Sequence, residues 1–212
     1  MASFRGPAPY LELGSGIGNF TPGAGRLIRA DIQAFPGVQV VADAHTLPFA
    51  GESFGTLFMI DVLHHLQNPV GFFREAARVS QPKGRLVLLE PAITPVSFWF
   101  YRFFHDEAVD FSWDPIQPVP AEKSRDPGQG NQAIPTILFR NRASELVKLL
   151  PDWHLIVREW VGLAGYPLSG GFRPWSCINV ALARILGCLE KKLARRFGPW
   201  MAFRLLAVLE KR

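Results

Sequence analysis

The chain has 212 residues, 48% hydrophobic and 19% charged, with 19 glycines and 18 prolines, which excludes a disordered polymer and predicts one well-buried domain over 1–212. Its net charge of +5 permits attraction to anionic lipid or nucleic acid without establishing either. Cys177 and Cys188 form no disulfide framework or metal pair, no basic-then-apolar leader opens the chain, and no run reaches the ~18 apolar residues of a bilayer span, so a cytoplasmic protein is expected.

Residues 10–13, YLEL, read as a short apolar strand ending in the turn GSGIG. RLIRAD (26–31), VQVVAD (38–43) and TLFMID (56–61) are further strands, each closed by an acid at its C-terminal end. After the first turn, TPGAG (21–25) opposes a helix by roughly 1 kcal/mol per glycine and ~3 for an interior proline, so an irregular loop is expected there. Asn68 and Pro69 are an N-cap and a first helical residue, and Val70, Phe73, Ala76, Ala77 and Val79 follow at helical spacing until Pro82 and Gly84. RLVLLE (85–90) is a nearly continuous apolar run, as in a strand covered on both faces. Strands alternating with turns or helices predict a parallel sheet.

From 91 to 135 the pattern gives way to an aromatic stretch, VSFWFYRFFHDEAVDFSW, and a loop rich in Pro, Gly and Gln. Regular structure resumes with a helix, RASELVKLL (142–150), and a strand, WHLIVREW (153–160). A loop containing GYPLSGGFRPW, a helix over 178–197 and a last strand, MAFRLLAVLEK, complete the chain. The reading is a single core with insertions at about 92–135 and 161–199.

Ligands of a parallel α/β sheet bind at the carboxyl ends of its strands, where Glu12, Asp31, Asp43, Asp61 and Glu90 gather. Gly14, Gly16 and Gly18 would let a ligand approach the main chain. There is no G-x-x-x-x-G-K-[ST] phosphate loop. A dinucleotide fingerprint would need glycine where this chain has Asn19, and Glu12 would repel a pyrophosphate. A cationic, phosphate-free nucleoside fits better, with Asp31 accepting from its ribose hydroxyls.

LELGSGIGNF, the acid closing the second strand, VADAHTLPF, IDVLHHL and RLVLLEP occur in order over about residues 10–91. Together they resemble the class I S-adenosylmethionine-dependent methyltransferases of the small-molecule, methyltransferase type 11-like group. The resemblance implies a Rossmann-like α/β fold: a mainly parallel sheet, flanking helices and a C-terminal antiparallel strand. It implies S-adenosylmethionine as cofactor, with Glu12 near its methionine end and Gly14, Gly16 and Gly18 along its backbone. Asp31 would take the ribose and Asp43 the adenine amino group, with Ala44 beside it and Leu47 against the ring; Asp61 and Leu63 would face the methionyl part and the acceptor entrance. Only nine residues precede the first strand, where the family usually has helices, so the chain reads as shortened at the N-terminus. The alternatives are a plain tight turn at the glycines, caps at Asp31 and Asp43, a structural loop role for Glu90, a packing or hydrogen-bonding role for His64 and His65, and a buried lid or core for the aromatic stretch from Phe98 to Trp113.

A hydroxyl acceptor gains from a base, and His65, His64 and His105 are the candidates in that order. No metal cluster is expected. Phe98, Trp99, Phe100, Tyr101, Phe103, Phe104, Phe111 and Trp113 favour a small apolar or aromatic acceptor, and nucleic acid is the poorer reading. The competing class is a non-catalytic cofactor-binding or interaction protein that keeps the fold. Ile178, Leu182, Ile185, Leu189, Leu193 and Phe197 recur at helical spacing, flanked by Arg184, Lys191, Lys192, Arg195 and Arg196. This predicts either weak peripheral contact with the inner, anionic membrane surface or a stripe packed on the sheet with solvated cations.

Overall fold

Seven strands form one sheet: β1 (Tyr10–Leu13), β2 (Leu27–Asp31), β3 (Val40–Val41), β4 (Phe54–Ile60), β5 (Ser80–Pro91), β6 (Trp153–Val161) and β7 (Arg204–Lys211). The structure, a computed structural model, describes residues 4–18, 20–117, 128–170 and 176–212. Asn19 and the parts of the two predicted loops at 118–127 and 171–175 lie outside the described residues. The strand order is β3-β2-β1-β4-β5-β7-β6. Every pairing is parallel except those of β7, which runs antiparallel to β5 and β6. This is the expected Rossmann-like sheet with its antiparallel last strand. From β1 the chain winds to β2 and β3 on one side and then crosses to β4 and β5 on the other, so the crevice opens between the ends of β1 and β4.

The helices are α1 (Pro69–Val79), α2 (Pro95–Phe104), α3 (Ile134–Thr136), α4 (Ala143–Leu149), α5 (Gly165–Leu168) and α6 (Val180–Met201). Asn68 caps α1 as expected, its side chain accepting from Gly71 N–H at 2.9 Å. On one face of the sheet Leu11, Leu57, Met59, Leu86 and Leu88 pack with Phe72, Phe73 and Ala76 of α1 and with Ile134 and Leu138. The other face carries a smaller core of Tyr10, Phe58, Val87, Leu206 and Val208, backed by Phe4, Phe20 and Leu27. Among the described residues no helix lies between β1 and β2, in keeping with the glycines and proline of TPGAG.

Three elements depart from the expectations. The strand over 38–43 shrinks to Val40–Val41, and β5 begins at Ser80, which leads straight out of α1 to pair with Phe54. The end of the predicted loop is core: α3 continues into a wide π turn, Ile137–Asn141, and Ile134, Ile137, Leu138 and Phe139 are all buried. Pro135 masks this helix in the sequence, yet it lies in the first turn, where proline is tolerated. If residues 134–139 are core, Leu138→Ala costs about 2–5 kcal/mol in urea denaturation. A loop residue at that position would cost less than about 0.5 kcal/mol.

Candidate active site

The glycine turn leaves β1 with positive φ at Gly14, Gly16 and Gly18 (65°, 50° and 75°), a backbone that side chains resist. Only one of the three faces open space. A Cβ on Gly16 would meet nothing within 4 Å, whereas on Gly14 it would lie 2.2 Å from Val62 Cγ2 and on Gly18 3.0 Å from Arg29 Nε. At Gly14 Val62 takes the space a side chain would need, and at Gly18 the flexible end of Arg29 lies close, so of the three only Gly16 faces open space. Beside Gly16, Ser15 Oγ is buried without a hydrogen bond to the described residues.

Glu12 and Arg29 are opposite each other in the β1–β2 register, so both side chains rise from the thinly covered face. Arg29 Nε donates to Glu12 Oε2 at 3.2 Å, and its Nη2 donates to Phe20 O at 3.1 Å. Burial raises the Glu12 carboxyl, and Arg29 acts against that rise. The expected ligand-facing acid thus has an internal counter-ion, which nothing in its motif announces. Asp31 Oδ2 accepts from Gly16 N–H and Oδ1 from Gln33 N–H, each at 2.9 Å. The carboxylate thereby shapes the turn, and each oxygen has lone-pair capacity beyond the one bond it accepts. Asp43 Oδ1 accepts from the His45 main chain (2.8 Å) and meets its Nδ1 (2.7 Å). Burial pushes the Asp43 carboxyl up, but these contacts bring it below the usual value. Ala44 is half-buried beside it, and Leu47 belongs to the core.

At the end of β4, Asp61 takes a left-handed backbone (φ 57°) and lies 2.6 Å from Arg204 Nη2 of β7. Burial pulls its carboxyl up to about 6, Arg204 opposing and the Glu90 charge adding to the rise. Leu63 is fully buried and contributes through its main chain. Glu90 Oε1 accepts from Val62 N–H (3.0 Å) and Leu63 N–H (2.9 Å), fixing the turn that carries both histidines.

His64 is buried between two carboxylates, with Glu90 Oε2 2.8 Å from Nδ1 and Glu107 Oε2 3.1 Å from Nε2. Burial disfavours its charge, but Glu107 and Glu90 outweigh that and lift it to about 9. His64 is accordingly an imidazolium at neutral pH and no base, which corrects its candidacy. His65 is a quarter exposed, its Nε2 3.4 Å from Glu107 Oε1, and its ring lies 4.3 Å from that of His64. His105 ends α2, and its Nδ1 accepts from Glu107 N–H at 3.3 Å, so it shapes the bend that delivers Glu107 and is set aside as a base.

Glu107 is legible in the sequence only as one of the acids that follow His105, not as a site residue in its own right. Burial raises its carboxyl, but His64 and then His65 and Gln132 hold it at about 2. Gln132 donates to it, Asn131 N–H donates to His64 O at 2.9 Å, and a Cβ on Gly130 would lie 2.7 Å from Glu107 Oε2. The only signal in the sequence is HDE at 105–107. The fold also gathers two groups with metal-ligand chemistry, His64/His65/Glu107 and Asp61/His64/Glu90, their donor atoms within 4.8 Å of one another. Hydrogen bonds already join the His64 nitrogens to Glu90 and Glu107.

Residues 11–88 match a family model described as a methyltransferase domain. No curated protein matches the chain. Among solved structures it resembles an S-adenosylmethionine-dependent methyltransferase from Mesorhizobium loti, with 16% identity over 98% of this chain and 93% of that one and a TM-score of 0.51. One from Archaeoglobus fulgidus gives 15% identity, 99% and 88% coverage and a TM-score of 0.52. At such identities the likeness is one of fold.

The pH dependence of stability follows from the cluster. His64, raised from 6.5 to about 9, stabilises the fold fully below pH 6.5, and that contribution is lost as pH rises through about 9. Glu107, lowered from 4.5 to about 2, stabilises fully above pH 4.5, and its contribution is lost as pH falls through about 2. Urea denaturation across pH should show both contributions complete between 4.5 and 6.5, with Glu107→Gln flattening the acid limb and weakening the alkaline one. Parallel pH profiles for wild type and variant would contradict the assignment.

Proposed function

We propose that the chain is a class I methyltransferase that uses S-adenosylmethionine, a reading supported by the methyltransferase-domain match over residues 11–88 and the Rossmann-like sheet, and that it methylates a small apolar acceptor at a hydroxyl group. The observation that carries this reading is the partly exposed His65 set against the ionised Glu107 at the open end of the sheet. Gly16 with its open space, Ser15, Asp31 and Asp43 would hold the cofactor. When bound, S-adenosylmethionine supplies a methyl group already activated by a sulfonium centre.

The chain's own task is to orient the acceptor and take its proton. A proton gained by the His65 ring is stabilised by Glu107, 3.4 Å from Nε2. Glu107 is in turn held in place by His64 and Gln132. The aromatic composition of residues 98–113 supports an apolar acceptor over a charged one. A second reading, a non-catalytic cofactor binder, is favoured by the Glu12–Arg29 pair and by the lack of a helix after the glycine turn among the described residues.

Titration calorimetry with S-adenosylmethionine and transfer of labelled methyl groups to a cell extract separate the two. Asp31→Ala should weaken cofactor binding by about 1.5–3 kcal/mol. His65→Ala should leave that affinity unchanged and lower turnover by about 10²- to 10⁴-fold. Binding without transfer to any acceptor would support the second reading.

A further inference from the structure

α6 is turned the reverse of an ordinary packing helix. At 100° per residue its apolar residues Leu182, Ile185, Leu189, Leu193 and Trp200 fall within an arc of about 80°, and all five are exposed: Ile185 by 58%, Leu189 by 52% and Trp200 by 63%. The side turned to the protein is small or polar. Gly198 lies so close to β6 that a Cβ would be 2.5 Å from Trp160 Cβ, and Glu190 Oε1 accepts from Gly165 N–H at 2.6 Å. The expectation that the stripe packs on the sheet is thereby corrected: residues that permit close approach have taken the inner side.

α2 meets α6 and repeats the arrangement. Its Ser97 and Tyr101 face inward, Tyr101 donating to Phe203 O at 2.7 Å. Trp99 (61% exposed) and Phe103 (69%) stack outside with centroids 5.8 Å apart. Arg102 of α2 and Arg184, Lys192, Arg195 and Arg196 of α6 are exposed around these apolar surfaces. Glu190 is the one acid in the two helices, and it is engaged inward.

We propose that α2 and α6 form a single docking surface for an anionic lipid bilayer. Large apolar side chains bordered by cations, with no outward acid, are the chemistry of an interfacial helix. Pairing with a second copy would set the same cations against each other across a two-fold axis. No described helix is long and apolar enough to cross a membrane, so the contact is with one leaflet. α2 ends at Phe104, three residues before Glu107 of the candidate site. The proposal stands on the two helices and does not depend on the identity of the acceptor.

Sedimentation with phosphatidylcholine vesicles, with and without phosphatidylserine, tests it. Wild type should bind the anionic vesicles at low salt, bind phosphatidylcholine alone much less, and be released at high salt. Replacing Lys192, Arg195 and Arg196 by Ser should weaken binding on the order of a hundredfold, at roughly fivefold per cation. Ile185→Glu with Leu189→Glu, both at exposed positions, should abolish binding with an unchanged circular dichroism spectrum. Protein left in the supernatant at low salt, or equal binding to both vesicle types at all salt concentrations, would overturn the proposal. So would a concentration-dependent dimer that the double variant disrupts, without vesicle binding by wild type.

Discussion

A histidinium held between two carboxylates joins the sheet to the chain that follows it. Glu90 ends the central part of β5, His64 lies on the turn after β4, and Glu107 arrives from beyond α2. Because Glu90 also accepts the Val62 and Leu63 N–H groups, one carboxylate fixes both the turn and the ring that the turn carries. A buried charge set of this kind exists only if every member is paired, and removing one partner typically costs about 3–5 kcal/mol. His65, on the same turn, and residues 130–132, which contact His64 and Glu107, are arranged around it.

The rest of the strand-end crevice is balanced in the same way. Glu12 is matched by Arg29 and Asp61 by Arg204, while Asp31 is held by two main-chain donors. Five acids crowd one edge of the sheet, yet the edge is no bare acidic surface. Around Gly16 and Ser15, by contrast, a side chain at the glycine would meet open space and a buried hydroxyl has no described partner. The β1–β2 register sets Arg29 against Glu12, and no helix is found between these strands among the described residues.

Much of the scaffold was legible because its signals are local. Apolar runs marked β4 and β5, Asn68–Pro69 marked the start of α1, and acids closing successive strands marked the crevice. What could not be read depends on distance or direction. Glu107 and Gln132 are 25 residues apart, and neither lies in a recognisable pattern. Arg29 looks like an ordinary polar residue inside a strand until the register sets it against Glu12. The apolar period of α6 is the same whether the stripe faces in or out; Gly198 against Trp160 decides the matter. The histidine pair showed the same limit: adjacent residues of one type differ because one is enclosed by carboxylates and the other is a quarter exposed.

The central claim is the charge on His64, and nitrogen NMR of the histidine rings reads it directly. With the His64 value at about 9, both of its ring nitrogens should carry protons in spectra taken at neutral pH, and Glu107→Gln should reduce the pH at which the second proton is lost. A His64 ring already neutral at pH 7 in the wild-type protein would contradict the account.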